Sequence, residues 1–266
     1  MIQSSRQTID VRGQKLNVAI DGTRDAPWLV FSNSLATDLH LWDPQIPVLA
    51  KDWSILRYDF RGHGRSGASI DPICDVSVLA GDLLALLDYH GAGRVCHVGV
   101  SMGAVAGVAA AIKSPSRFAS LVVCNSRLRS NDESQASLND RARRALDLGM
   151  RSLVDLTLEK WFGRARLPLA DQVRNQIAGM IENTRASDFA AYARGMAHYD
   201  LEDEMISLGI PISLLAGTDD GTIKYDFLAL QERAPAIRCV SIEGAGHLSN
   251  VPAVDDFNAK LQDSIS

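Results

Sequence analysis

The chain has 266 residues, of which 46% are hydrophobic and 22% charged, and it carries a formal net charge of −5. This length suits one large core carrying an insertion, and the negative balance excludes a domain-wide basic field that would hold nucleic acid. No apolar run reaches the roughly 20 residues that span a bilayer, and the first eleven residues are polar, without the apolar core of a secretion signal. Four cysteines, Cys74, Cys96, Cys124 and Cys239, are scattered with no C-x-x-C pair. They read as reduced, packed thiols, so a cytoplasmic protein is expected.

Short apolar or β-branched runs alternate with longer amphipathic ones, the pattern of a mostly parallel sheet with crossover helices. Residues 6–11 and 15–20 read as an opening hairpin around Arg12-Gly13-Gln14. Residues 28–32 and 54–58 read as buried strands, with a short helix near 44–50 between them. Val76, Leu79, Leu83, Leu86 and Leu87 have the spacing of a core-facing helix over residues 75–89. Residues 95–99 form the next strand, 102–113 an Ala-rich helix, and 119–124 a further strand. From 127 to about 208 no strand-like run appears, and helical periodicity marks 141–148, 152–161, 173–181 and 189–198. Strands resume at 212–216 and 237–242, and a helix covers 253–261. The predicted organisation is an α/β core over residues 1–126 and 209–266, with a helical lid over 127–208 inserted in it.

Gly99-Val100-Ser101-Met102-Gly103 matches G-x-S-x-G, entered by a strand and left by a helix. So sharp a turn crowds its neighbours, and glycine on both sides removes the Cβ atoms that would clash. The turn exposes the Ser101 hydroxyl. It also places the Met102 N–H at a helix start, where an oxyanion is favoured. A serine needs a base to take its proton, and on such an elbow the acid and base follow in the order Ser…Asp…His. His247 in Gly244-Ala245-Gly246-His247, after the strand at 237–242, is the candidate base. Asp219 and Asp220, after the strand at 212–216, are the candidate acids. His97 lies in an apolar strand and reads as a packed core residue, while His40, His63, His90 and His198 lie in loops or on helix faces and read as solvated or structural. No histidine pair has metal-ligand spacing, and no metal is assigned. The loop after residues 28–32 offers a second oxyanion donor, the Leu35 N–H. Asp59, Arg61 and His63 in Asp59-Phe60-Arg61-Gly62-His63-Gly64 read as hydrogen-bonded loop structure supporting the site.

With these residues assembled, the chain resembles the α/β-hydrolase superfamily over its whole length and, within it, the 3-oxoadipate enol-lactonases. Further echoes are Ser32-Asn33-Ser34-Leu35-Ala36-Thr37-Asp38-Leu39, where most relatives have His-Gly, together with Gly246-His247-Leu248-Ser249-Asn250, Trp161-Phe162 and Cys124-Asn125. The resemblance implies an eight-stranded, mostly parallel sheet with flanking helices. It also implies Asp220 rather than Asp219 as the acid, since such families carry it three residues after a glycine, here Gly217. The pattern departs in the lid: Ser126-Arg127-Leu128-Arg129 replaces Thr-Ala-Ala, and no tryptophan follows. Ala104 stands where another glycine is usual, and Val251-Pro252 replaces Ile-Glu.

The lid is rich in arginine (Arg127, Arg129, Arg141, Arg143, Arg144, Arg151, Arg164, Arg166, Arg174, Arg185 and Arg194). A guanidinium suits capture of a substrate carboxylate, and Arg127 and Arg129, where the chain leaves the sheet for the lid, are the preferred candidates. Asn33 and Trp161 are further candidate substrate contacts. The expected activity is cofactor-free hydrolysis of a small carboxylic ester or lactone through an acyl-enzyme, 3-oxoadipate enol-lactone or a relative among them. A monomer or small homo-oligomer is expected, with neither nucleic acid nor membrane as partner. Ser101 argues against the dehalogenases and epoxide hydrolases of this fold, which use an Asp nucleophile. Carbon–carbon bond hydrolases, cofactor-free perhydrolases and a non-catalytic receptor stay open.

Overall fold

The computed structural model describes residues 3–163 and 165–265, and Arg164, one of the arginines named above, lies outside them. The opening hairpin pairs β1 (Gln3–Val11) with β2 (Gln14–Gly22), Val11 facing Gln14. Its turn is therefore the pair Arg12-Gly13, with φ of 54° and 73°, and Gln14 belongs to the strand. Two successive positive-φ residues give the turn whose twist matches that of hairpin strands.

The sheet continues through β3 (Trp28–Ser32), β4 (Ser54–Tyr58), β5 (Val95–Val100), β6 (Phe118–Cys124), β7 (Ile212–Gly217) and β8 (Arg238–Ile242), in the order β1-β2-β4-β3-β5-β6-β7-β8. From β4 to β8 every pairing is parallel, while β2 is antiparallel to both neighbours. Every residue of β4, β5 and β7 is buried. Helices cover both faces of such a sheet, which is why its strands are continuous apolar runs.

α1 (Ile46–Leu49) and α2 (Val76–Tyr89) precede β5. The Asp75 side chain caps α2 by accepting from the Val78 N–H at 3.0 Å. In α3 (Met102–Lys113) nearly every side chain is small and buried, so the helix lies close to the sheet. A Cβ at Gly107 would stand 2.1 Å from the His97 ring.

Between β6 and β7 run α4 (Asp132–Leu148), α5 (Val154–Phe162), α6 (Asp171–Asn183), α7 (Ala186–Gly195) and α8 (Glu202–Ile206). α4 starts well before the periodicity at residue 141, because its first turns are mostly polar, exposed or half-buried, and carry no apolar stripe. A reciprocal cap between Asn131 and Ser134 starts it instead. The apolar residues of these helices join those of the sheet in one contiguous core. α9 (Ile223–Arg233), which the periodicity reading passed over, buries Ile223, Phe227 and Leu230, and α10 (Val254–Ile265) closes the chain.

The parallel strands end at one edge of the sheet, where open α/β folds place their ligands. Among the described residues five non-glycines have positive φ, and three of them, Ala36 (65°), Ser101 (55°) and Asn125 (47°), follow β3, β5 and β6 at that edge. Strained backbone persists only where the surroundings enforce it, commonly at ligand sites.

Candidate active site

Ser101 joins β5 to α3 with φ 55° and ψ −121°. Its N–H donates to the Cys124 carbonyl at 2.9 Å and its carbonyl accepts the Ser126 hydroxyl at 2.9 Å, so β6 holds the strained peptide from both sides. The flanking glycines are forced by contact. A Cβ at Gly99 would stand 2.4 Å from the Gly103 backbone, and one at Gly103 would stand 2.1 Å from the Ser32 carbonyl. The backbone N–H groups of Leu35 and Met102 are donated to no acceptor among the described residues.

The loops after β7 and β8 are pressed together in the same way. A Cβ at Gly217 would meet the Ala245 carbonyl at 2.3 Å, and one at Gly246 the Trp161 carbonyl at 2.2 Å. This close approach puts His247 Nδ1 at 3.0 and 3.1 Å from the two Asp220 carboxylate oxygens. A carboxylate only accepts, so Nδ1 carries the proton and Nε2 is left as the basic nitrogen. Asp219, one residue away, also lines the cavity but is taken by Arg166 at 3.0 Å. Burial alone would raise the Asp220 carboxyl. The facing His247, and hydrogen bonds from it and from Asn125, bring it below the ordinary carboxylate value.

Asn125, which the sequence offers only as part of a family echo and without a role, belongs to the site. Its Nδ2 donates to Asp220 Oδ2 at 2.8 Å and to the Gly246 carbonyl at 3.3 Å, while its Oδ1 accepts the Ser249 hydroxyl at 2.6 Å. It ties the ends of β6, β7 and β8 into one unit. The available signal was a short polar residue directly after the apolar run of β6. Trp161 adds a second restraint on the base: its carbonyl accepts the His247 N–H at 2.9 Å, and its indole lies at 21° to the imidazole, with centroids 6.0 Å apart.

Ser101, Asp220 and His247 line one cavity of about 570 Å³ with Leu35, Met102 and Trp161. The helices contribute Leu138 and Arg141 from α4 and Lys160 from α5. Of the other sequence candidates, Arg127 reaches the cavity but is held by Asp226 at 3.1 Å and by the Thr222 hydroxyl. Arg129 lines a separate cavity of about 200 Å³ and pairs with Asp200 at 2.7 Å. Asn33 is buried with its Nδ2 on the Tyr58 carbonyl at 2.6 Å. Both expectations are revised: Arg129 finds its carboxylate outside the cavity, and Asn33 fastens β3 to the end of β4. Among the arginines of residues 127–208, Arg127 and Arg141 both line the cavity and Arg129 does not, and sequence position had not singled out Arg141.

Asp59 accepts from Asn17 Nδ2 (2.7 Å) and from the backbone N–H of Leu39 (2.7 Å) and Arg65 (2.9 Å), bracing the loops after β3 and β4. Arg61 pairs with Asp82 at 2.6 Å and His63 Nδ1 meets the Arg61 carbonyl at 2.8 Å, both away from the cavity. His97 bonds the Ser32 hydroxyl at 2.9 Å inside the core. Among the described residues no group of three or more His, Cys, Asp or Glu side chains could hold a metal ion, and no helix is long and apolar enough to cross a membrane.

The family model for the alpha/beta hydrolase fold matches residues 27–253. The chain is 32% identical over 251 residues to 3-oxoadipate enol-lactonase 1 of Acinetobacter baylyi, covering 92% of this chain and 91% of that one. Among solved structures, the enol-lactonase from Burkholderia xenovorans LB400 is 32% identical, with a TM-score of 0.86 over 97% of this chain and 98% of its own. A hydrolase from Pseudomonas aeruginosa PA01 is 28% identical, with a TM-score of 0.89 over 99% and 98%. The eight-stranded sheet, the strand-to-helix elbow and these matches agree, and the chain belongs to the α/β-hydrolase fold family.

Proposed function

We propose that the chain hydrolyses a small carboxylic ester or lactone through an acyl-enzyme on Ser101, with His247 as general base and Asp220 as the acid that orients it. The observation that carries this reading is the meeting, on one cavity, of a strained serine elbow and a carboxylate-bound imidazole. Asp220 accepts from Nδ1, so Nε2 takes the Ser101 proton as the hydroxyl attacks the carbonyl. The oxyanion then rests on the unused N–H groups of Leu35 and Met102, each such donor being worth about 3–4 kcal/mol in the transition state. His247 returns the proton to the leaving alkoxide or enolate and next activates the water that releases the acid. In a lactone the leaving oxygen stays tethered until that second step. Asn125 and Trp161 fix the acid and the imidazole and take no proton.

Residues 127–208 act in this reading as a lid on a core formed by 1–126 and 209–266, since α4 and α5 supply cavity wall that the sheet lacks. The relatives named as enol-lactonases support an enol-lactone substrate, 3-oxoadipate enol-lactone or a close analogue. The test is Ser101→Ala, assayed with phenyl acetate and with a fluorophosphonate label. Turnover should fall by at least about 10⁴-fold, and labelling should be lost with the melting temperature kept. A folded variant that still hydrolyses the ester would refute the assignment.

A further inference from the structure

Two successive aspartates, Asp219 and Asp220, line the cavity after β7, and His247 has a single Nδ1–H to give. One arginine in the loop between α5 and α6 separates their roles. The Arg166 backbone N–H and Nε donate to Asp219 Oδ2 at 2.9 and 3.0 Å, and its Nη2 donates to Asp219 Oδ1 at 3.1 Å. The same Nη2 reaches Thr218 Oγ1 at 3.2 Å and Glu243 Oε1 at 2.6 Å. Thr218 Oγ1 in turn accepts the Gly244 N–H at 2.8 Å. Arg166 therefore spans the loops after β7 and β8, although its own side chain is 64% exposed.

The chain on either side of Arg166 is fastened to the same loops. The Leu167 N–H donates to the Gly244 carbonyl at 2.9 Å, and the Trp161 carbonyl accepts the His247 N–H at 2.9 Å. Gly246 lies against that Trp161 carbonyl too closely to carry a Cβ. Residues 161–167 thus hold the base directly. They reach the acid through its neighbour, since among the described residues Arg166 has no hydrogen bond to Asp220 or His247. Two physical effects follow. A guanidinium fork on a carboxylate fixes its orientation as well as its charge. Its hydrogen bonds also hold the Asp219 carboxyl below the ordinary carboxylate value. Without that cation Asp219 would be a second free carboxylate beside Asp220, repelling it and competing for the Nδ1–H.

Resting on the reading of Asp220 and His247 above, we propose that Arg166 is a positioning residue: by occupying Asp219 it reserves Asp220 for His247, so the acid–base pair stays aligned only while residues 161–167 are seated on the loops after β7 and β8. The adjoining helix α5 also gives Glu159, Lys160 and Trp161 to the cavity wall. Substrate contacts and the alignment of the pair therefore share one segment of chain.

The experiment follows Arg166→Ala, Arg166→Lys and Arg166→Ala/Asp219→Asn by kinetics on phenyl acetate and by proton NMR. The Nδ1 proton that an imidazole shares with a carboxylate resonates far downfield and reports the His247–Asp220 bond. Arg166→Ala should lower kcat roughly fivefold, the upper end for an ion pair open to solvent. KM should stay within twofold, and the downfield resonance should shift or broaden. Arg166→Lys keeps the charge without the fork and should recover part of kcat. Adding Asp219→Asn to Arg166→Ala removes the rival carboxylate and should also recover part of kcat, which a structural prop would not produce. Two results overturn the proposal: kcat within twofold of wild type with an unmoved resonance, or a fall that neither Arg166→Lys nor the double variant recovers. Should wild type neither cleave the ester nor take a fluorophosphonate label, the hydrolase reading fails by itself. The resonance then decides the positioning role alone: moved by Arg166→Ala it sustains that role, and unmoved it refutes it.

Discussion

Asn125→Ala removes a residue that touches the candidate acid without being part of the reacting set. Three contacts disappear: the bond to Asp220 at 2.8 Å, the longer one to the Gly246 carbonyl at 3.3 Å, and the acceptor for the Ser249 hydroxyl at 2.6 Å. The first is a hydrogen bond to a charged group, worth about 1.5–3 kcal/mol, and the Ser249 bond is a neutral one worth about 1 kcal/mol. Alanine at a φ of 47° adds roughly 1 kcal/mol of backbone strain. These contributions share atoms and do not simply add, so a loss of about 2–4 kcal/mol is expected, and the melting temperature should drop by roughly 5–15 °C. In kcat/KM only the Asp220 bond counts, which gives about a tenfold fall with roughly 100-fold as the upper limit. Asn125→Gly relieves the backbone strain but not the lost bonds, so it should match alanine in activity and exceed it in stability. Asp220 has a lowered folded pKa, so its contribution to stability is present above the unfolded value near 3.8 and lost as pH falls through the folded one. Without the Asn125 donor the folded value rises toward the unfolded one, and acid inactivation should begin at higher pH. Steady-state kinetics, melts and a pH–rate profile of both variants test this. Activity within twofold of wild type, with an unmoved acid limb, would show that Asn125 packs the loops without positioning Asp220.

Gly103→Ala places a Cβ 2.1 Å from the Ser32 carbonyl and 2.6 Å from that of Asn33, backbone atoms that cannot swing aside. A loss of about 1–3 kcal/mol or more is expected, along with reduced activity, because the same shift displaces the Met102 N–H; a melt and rate equal to wild type would contradict the close approach. His63 and His97 are buried and held neutral, with folded values pushed down by burial to about 4 and about 3. The unfolded chain takes up their protons near 6.5, so stability is full above that pH and falls as pH drops toward the folded values, by up to about 1.4 kcal/mol per pH unit for each histidine. Urea unfolding between pH 7 and 5 should show this slope, and a flat profile would mean that the two rings are solvated.

The sequence by itself determined the layered α/β architecture, because a strand buried on both faces must be an apolar run and a crossover helix must carry an apolar stripe. It also located Ser101: glycines at 99 and 103 between a strand and a helix are a local steric demand, readable over five residues. His247 and Asp220 were legible as polar residues in glycine-bearing loops after strands, although choosing Asp220 over Asp219 leaned on family likeness. The structure supplies the physical reason, since Arg166 occupies Asp219 while the contact between the loops at Gly217 and Ala245 turns Asp220 to the imidazole. The start of α4 was hidden because its first turns are polar, exposed or half-buried, and follow no apolar period. Which arginine of the cavity keeps its charge unpaired was hidden for a different reason. Arg127, Arg129 and Arg141 are the same residue type in one short segment of chain, and only the folded chain decides that Asp226 and Asp200 neutralise the first two while Arg141 lines the cavity without an ion pair among the described residues. Local sterics write themselves into short motifs, whereas the pairing of charges depends on partners brought together from distant parts of the chain.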